Sequence, residues 1–223
     1  MDLKIAPICR LNRASAAVPR NNQTLSRNWD ARFTAESRSS AIPGIRAVPN
    51  SHNEAFIREV RQSDAEPIAA IYNHYVQTSI ATFEEAPVPR EDICRRIEGV
   101  RSASLPWLVA ERSGRVIGYA YATAWKSRSA YRFSAEASMY IAPGHVGRGT
   151  GSALYAQLIA AVRETGIHVL ISGISLPNEA SVAINEKFGF RKVAHFAEVG
   201  FKFGKWIDVG YWQLALSPDA DHV

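Results

Sequence analysis

Cysteine is scarce in this 223-residue sequence. Cys9 and Cys94 are too few for a disulfide framework or a thiolate metal cluster, so a reducing, cytoplasmic setting is the simpler expectation. Long apolar runs are also missing. Nothing approaches the roughly 18 consecutive residues that a bilayer-spanning helix requires, and the longest apolar stretches are strand-length, so no membrane role is expected. The six histidines show no metal-ligand spacing, and no metal is expected. Charge of one sign is absent where it would matter. The formal net charge of +5 resides in residues 1–53, where eight Lys and Arg face three Asp and Glu, while residues 54–223 balance to zero. A neutral domain lacks the basic footprint of a nucleic-acid binder, and no nucleic-acid partner is expected. What remains, 47% hydrophobic and 21% charged residues, is the composition of an ordinary globular protein with one sizeable core.

Residues 1–53 are rich in Arg, Ser and Asn and carry no sustained periodicity, which predicts a disordered leader. An organelle transit peptide and a phosphate-backbone-binding arm are the competing readings of that stretch. The domain is expected over 54–217, with a short tail at 218–223.

Within the domain, strands and helices alternate in the manner of an α/β (mixed α+β) fold, a mixed sheet covered by helices. AFIREV (55–60) reads as a strand. Asp64 is placed to cap a helix in which Ile68, Ile71, Tyr72 and Tyr75 recur at helical spacing. A second helix follows Pro89, with Ile93, Ile97 and Val100 on one face. WLVAER (107–112) and VIGYAYATAW (116–125) flank Ser113-Gly114, a hairpin signal. A strand from about Ser134 to Ala142 stops at Pro143. After it come a glycine-rich loop and a helix with a Leu154, Leu158 and Val162 stripe. VLISGIS (169–175) reads as a buried strand, a short helix starts near Asn178 and ends at Gly189, and an aromatic hairpin closes the domain at VGYWQLAL (209–216). Trp206, Tyr211 and Trp212 read as sheet core or as an interface with a second copy.

The segment MYIAPGHVGRGTGSALYAQL places Gly147, Gly149 and Gly151 between a strand and the first turn of a helix. Glycines let the backbone turn several N–H groups toward one point, and a helix N-terminus adds partial positive charge there, so the loop reads as an anion site. A nucleotide-binding Walker loop would need Lys straight after its last glycine, where this chain has Thr150. The dinucleotide fingerprint would need glycine at Ser152. A pyrophosphate cradle survives this comparison, beside the plainer reading of a helix start with turn glycines.

This strand, turn and helix resemble the coenzyme A pyrophosphate loop of the GNAT acyltransferases. GISLPNEASVAINEKFGF (173–190) resembles the later strand and helix of the same superfamily. The similarity extends to the branch that acetylates phosphinothricin and methionine sulfone or sulfoximine, through YNHYVQTSIATFE (72–84), AWKSRSAYRFSAEASMYIAPGHVGRGTG (124–151) and GFKFGKWIDVGYWQL (200–214). It covers about residues 55–217. The resemblance implies the GNAT fold, a central twisted mixed sheet of about six or seven strands with helices on both faces. It also implies acetyl-CoA as donor and a homodimer as the assembly.

Site residues follow from the resemblance. The backbone of Met139, Tyr140 and Ile141 would pair with pantetheine, and the amides of Gly147, Arg148, Gly149, Thr150, Gly151 and Ser152 would hold the pyrophosphate. Val146 stands where the superfamily usually has Gln or Arg, which removes a side chain but no N–H donor. Arg148 would contact a phosphate or simply face solvent. Asn178 would bond a pantetheine amide or cap the following helix. Glu136 matches the family's catalytic base, an assignment that its cost within an apolar strand supports. A backbone N–H near Tyr140 would hold the developing oxyanion. Asn185 stands where relatives carry Tyr or His; it cannot relay a proton but can donate a hydrogen bond to the leaving sulfur. The acceptor would meet Lys126, Ser127, Arg128 and Tyr131 of the loop, Glu136, Ala137 and Ser138 of the strand, Phe83 as an apolar wall, and Lys202.

The activity so implied is direct transfer of acetyl from acetyl-CoA to the α-amine of a small amino acid analogue. Cys9 and Cys94 stand apart from the loop, so no covalent enzyme intermediate is expected. Two rivals remain at this point. One keeps the donor and takes another amine, such as a polyamine, an aminoglycoside or a protein N-terminus; Lys126, Arg128 and Arg132 would repel polycations. The other is a catalytically silent acyl-CoA-binding module, which Val146 and Asn185 bring into view.

Overall fold

The computed structural model describes residues 55–216. The expected leader at 1–53 and tail at 218–223 lie outside the described residues. In chain order the elements are β1 (Phe56–Glu59), α1 (Ala65–Thr78), α2 (Arg90–Ser102), β2 (Trp107–Arg112), β3 (Arg115–Ala124), β4 (Ser134–Ile141), α3 (Thr150–Arg163), β5 (Val169–Leu176), α4 (Glu179–Lys187), β6 (Arg191–Lys202) and β7 (Lys205–Ala215). The strands form one seven-stranded sheet in the order β1-β2-β3-β4-β5-β7-β6. Every pairing is antiparallel except β4 with β5.

Each face of the sheet is buried because the helices carry apolar stripes of matching period. On one face, Ile68, Ile71, Tyr72 and Val76 of α1 and Ile93, Ile97 and Val100 of α2 close over Trp107, Val109 and Tyr119. On the other, Leu154, Leu158 and Val162 of α3 pack against Leu108, Ala120, Ala135 and Leu170, with Val182 and Ile184 of α4 at the margin. Each such leucine or isoleucine contributes about 1.5–3 kcal/mol when fully buried. The β2–β3 turn places Ser113 (φ 50°) and Gly114 (φ 75°) in the left-handed region, as a two-residue hairpin turn requires.

Two local expectations are corrected. The Asp64 side chain does not cap α1. Its carboxylate receives both terminal nitrogens of Arg58, at 2.7 and 2.9 Å, and the backbone N–H of Arg61, so it ties β1 to the short 3-10 turn before the helix. The closing hairpin is also far longer than 209–216. It comprises β6 and β7, turned at Phe203 and Gly204, both of positive φ. In β6 most residues are exposed on both faces, so no alternating apolar pattern marks it as a strand.

Candidate active site

The site begins where two neighbouring strands part. β4 pairs with β5 only through Ser134, Ala135 and Glu136 opposite Val169, Leu170 and Ile171. Beyond Glu136, β4 stays on β3 and β5 stays on β7, so a cleft opens between Ala137–Ile141 and Ser172–Ser175. A cavity of about 600 Å³ fills it.

The phase of the β3–β4 ladder decides which amides of β4 face that cleft. At its two ends Ala142 N donates to Ile117 O and Trp125 N donates to Ser134 O. Alternation along an antiparallel pair then commits the even-numbered residues of β4 to β3. The odd-numbered amides point away from β3; that of Ala137 is taken up at the end of the pairing with β5, and those of Met139 and Ile141 are left facing the cleft. This corrects the expectation for Tyr140, whose N–H belongs to the ladder opposite Tyr119; a donor for a developing oxyanion has to come from a neighbour. On the same edge the Ile141 carbonyl accepts from Tyr75 Oη at 2.6 Å.

The glycine loop lines the lower end of the cavity. Gly147 (φ 78°) and Gly149 (φ 81°) sit in the left-handed region, and a Cβ at either would meet nothing within 4 Å. Backbone conformation, not crowding, therefore demands glycine there. Gly149 is the residue before α3 and its carbonyl accepts from Ala153 N. The amides from Gly147 to Ser152 donate to no described group, which leaves a cluster of N–H donors at a helix N-terminus. Arg148 is exposed. A cation that the sequence did not single out, Lys187 at the end of α4, donates to Ser152 Oγ at 3.1 Å and so brings a positive charge to this loop.

Across the cavity, Asn178 caps α4, its Oδ1 accepting from Ser181 N at 3.1 Å, while its amide nitrogen has no partner among the described residues. Asn185 is 3% exposed, yet it lines the cavity. Its Oδ1 accepts from Tyr155 Oη at 2.8 Å and its Nδ2 donates to Ser181 O at 2.8 Å, which leaves one amide hydrogen. Burial pushes the Tyr155 phenol up, so it stays protonated and keeps the Asn185 amide in that orientation.

Glu136 lies at the point of divergence. Its Oε1 would be 3.1 Å from a Cβ on Gly173 of β5, a residue that lines the cavity. It has no hydrogen-bond partner among the described residues. Burial raises its carboxyl above the ordinary range, and the charge of Lys126 pulls it back part of the way. A half-buried carboxylate raised in this way is a better proton acceptor than an exposed one.

The acceptor-side residues divide. Ala137 and Ser138 line the cavity. Lys126, Ser127, Arg128 and Tyr131 are exposed on the β3–β4 connection, with Lys126 Nζ 4.6 Å from the Trp125 ring centre. Phe83 does not line the cavity: it is 41% exposed, and the outer end of its ring occupies the space beside Gly200, where an added Cβ would clash at 2.3 Å. Lys202 is not available to a substrate anion. It is 2% exposed, and its Nζ donates to Ser79 O at 2.8 Å and Thr82 O at 2.7 Å. Ser175 Oγ donates to Ile80 O at 2.7 Å, so three carbonyls of the α1–α2 connection are fastened over the cleft. The resemblance marked this connection through Phe83 but not the carbonyls of Ser79, Ile80 and Thr82, and neither Tyr75, read as part of a helical core stripe, nor Tyr155 was singled out for the site. Cys94 does not line the cavity. Among the described residues there is no cluster of metal-ligating side chains, and no helix is long and apolar enough to cross a membrane.

Comparison with known proteins agrees with this geometry. A family model described as an acetyltransferase (GNAT) domain matches residues 57–210. The phosphinothricin N-acetyltransferase of Alcaligenes faecalis is 43% identical over 162 residues, which cover 72% of this chain and 82% of that protein. The L-methionine sulfoximine/L-methionine sulfone acetyltransferase of Salmonella typhimurium (strain LT2) is 36% identical over 168 residues, covering 74% and 98%. Among solved structures, that of yncA from Salmonella typhimurium with its cofactor acetyl-CoA superposes with a TM-score of 0.73 at 35% identity, covering 75% of this chain and 97% of that one.

Proposed function

The chain belongs to the GNAT acetyltransferase family, and on that footing we propose that it transfers acetyl from acetyl-CoA directly to the α-amine of a small amino acid analogue of the phosphinothricin or methionine sulfone/sulfoximine kind. The observation that carries this reading is the cleft between β4 and β5, with unpaired amides along one wall and a cluster of free amides at the glycine loop. Those groups fit a long ligand that has amide-bearing and phosphate-bearing parts. Met139 and Ile141 offer main-chain donors to the arm, Gly147 to Ser152 offer theirs to the pyrophosphate with the charges of Arg148 and Lys187 beside them, and Asn178 keeps an amide hydrogen for the arm. When bound, the coenzyme supplies an activated thioester.

The chain's own residues supply the rest. An α-amine with pKa near 8 is about 10% neutral at pH 7, so freeing its lone pair costs only ~1.4 kcal/mol. Glu136, raised by burial and held at the parting of the strands, takes that proton through a water. The Met139 or Ile141 amide meets negative charge as it develops, in place of Tyr140. Asn185 donates its remaining amide hydrogen to the leaving sulfur. A thiol of pKa near 8.5 needs no stronger acid. The exposed Lys126 and Arg128 receive the acceptor's carboxylate and repel polyamines. A second copy of the chain belongs to the proposal, because Phe196, Val199, Phe201 and Trp206 leave apolar surface exposed on the terminal hairpin.

Thiol release from acetyl-CoA, measured with methionine sulfone, methionine sulfoximine and phosphinothricin and with spermidine as contrast, tests the reading. Turnover with the amino acid analogues, and a loss of about 100-fold or more in kcat for Glu136→Gln, is expected. Coenzyme binding without acceptor-dependent thiol release would refute it.

A further inference from the structure

The Glu136 carboxylate leans over Gly173 of β5, and the ring of Tyr211 lies on the other side of the same glycine. A Cβ on Gly173 would stand 3.1 Å from Glu136 Oε1 and 3.1 Å from Tyr211 Cε1. The pairing puts all three residues on one face of the sheet. Glu136 ends the β4–β5 pairing opposite Ile171, Gly173 follows two residues along β5, and Tyr211 of β7 stands directly opposite Gly173. Three observations bear on what occupies the gap. First, Gly173 is not among the glycines of positive φ, so the backbone does not demand glycine there, and what the missing side chain leaves is space. A tyrosine across from a glycine often covers it for packing alone, but this glycine is exposed and lines the coenzyme cavity. Second, the Tyr211 ring is held by edge contacts with Trp125 and Phe196, at centre distances of 5.4 and 5.7 Å. Third, neither the Glu136 carboxylate nor the Tyr211 hydroxyl bonds to a described residue, while burial and then the charge of Glu136 raise the Tyr211 phenol above its ordinary value.

We infer that Gly173 and Tyr211 form the seat of the acceptor's amine: the nitrogen lies over the bare glycine, with the Glu136 carboxylate on one side and the aromatic ring on the other. The inference rests on the acetyltransferase reading above and adds two binding residues to it. The point that an absent Cβ marks is within hydrogen-bond reach of the carboxylate. A nitrogen a few tenths of an ångström further from the ring is in contact with its carbons. An alanine methyl and the amine therefore compete for one place. Ring carbons on that side keep water from the amine while Glu136 holds it from the other. Because Gly173 also lines the cleft, the seat opens onto the coenzyme, where an amine that attacks the thioester has to be. Tyr211, expected from its aromatic neighbours to be sheet core or an interface, is on this account a wall of the acceptor site. Trp125 and Phe196 are positioning residues that hold its ring.

The test measures KM for the acceptor at saturating acetyl-CoA in the wild-type chain and in Gly173→Ala, Tyr211→Leu and Tyr211→Phe, with acetyl-CoA calorimetry and a thermal melt on each. The acceptor is whichever of methionine sulfone, methionine sulfoximine and phosphinothricin the wild type turns over fastest. Gly173→Ala, which puts a methyl where the amine sits, is expected to raise the acceptor KM about tenfold or more while the acetyl-CoA Kd stays within about threefold. Tyr211→Leu is expected to raise the acceptor KM about fivefold or more, and Tyr211→Phe, which keeps the ring, to return it to within about threefold of the wild type. A ring that only packs over Gly173 would lower the melting temperature of Tyr211→Leu without moving the acceptor KM. That result, a Gly173→Ala variant with the wild-type KM, or a loss of coenzyme affinity as large as the loss for the acceptor would overturn the seat and leave the acetyltransferase reading in place. Should Gly173→Ala fail to fold, the two Tyr211 variants decide by the same criterion. A wild-type chain that acetylates none of the three acceptors overturns both.

Discussion

Gly149→Ala isolates what the glycine loop contributes. Gly149 has φ 81°, and an added methyl meets no atom within 4 Å, so the whole penalty is the backbone's, about 1–2 kcal/mol for an L-residue held in the left-handed region. The penalty has two ways to appear. If the loop stays in place, folding stability falls by that amount. If the loop relaxes, its N–H groups no longer converge, and the conformational cost returns when the coenzyme binds. Gly114 is the matched control. It has φ 75°, its added methyl also meets nothing, and it lies in the β2–β3 turn, outside the coenzyme cavity. Calorimetric titration with acetyl-CoA and thermal melts on both variants separate the cases. Gly149→Ala is expected to weaken coenzyme binding by roughly 5- to 30-fold, as 1–2 kcal/mol dictates. Gly114→Ala should leave binding unchanged and lower only the melting temperature. Equal affinities in the two variants and the wild type, with equal losses of stability, would mean that the convergent amides of 147–152 do not hold the pyrophosphate.

Two further outcomes follow from groups buried beside the cleft. Lys202→Met removes two charge-assisted hydrogen bonds and strands the carbonyls of Ser79 and Thr82, at a cost of about 3 kcal/mol or a fall of roughly 6–12 °C in Tm. The loss of anchoring should also raise KM for acetyl-CoA, because Ser79 lines the cavity, and an unchanged melt would show that the connection needs no fastening. The acid limb of kcat/KM should lie above the ordinary carboxylate range, because burial raises Glu136 and a protonated carboxyl cannot accept the amine's proton. Activity therefore rises with pH through that value. The limb should vanish in Glu136→Gln, and its persistence there would assign it to another group.

What was legible in the sequence is what depends on local pattern. The buried stripes of α2 and α3 repeat at 3.6 residues, the β2–β3 turn carries the residues that its φ angles demand, and Gly147 and Gly149 are glycines because their own backbone requires it. Roles set by what lies across a gap were not legible. The parting of β4 from β5 is a non-local pairing that stops after three residues, and no feature of either strand announces it. The phase of β4, which turns Met139 and Ile141 toward the cleft and Tyr140 away, depends on where β3 begins its ladder.

Lys126 and Lys202 make the limit concrete. Both sit beside aromatics in segments that resemble the acceptor-binding parts of related enzymes, so chemistry alone assigns them the same task. In the fold, one lies exposed over Trp125 and reaches the field of Glu136, while the other is enclosed and spent on two carbonyls. An ammonium that is 2% exposed and gives two of its three hydrogens to carbonyls 2.7–2.8 Å away is closed to a substrate carboxylate. What separates the two lysines is the set of hydrogen bonds each already makes, and finding those requires the partners across the fold as well as the side chain itself.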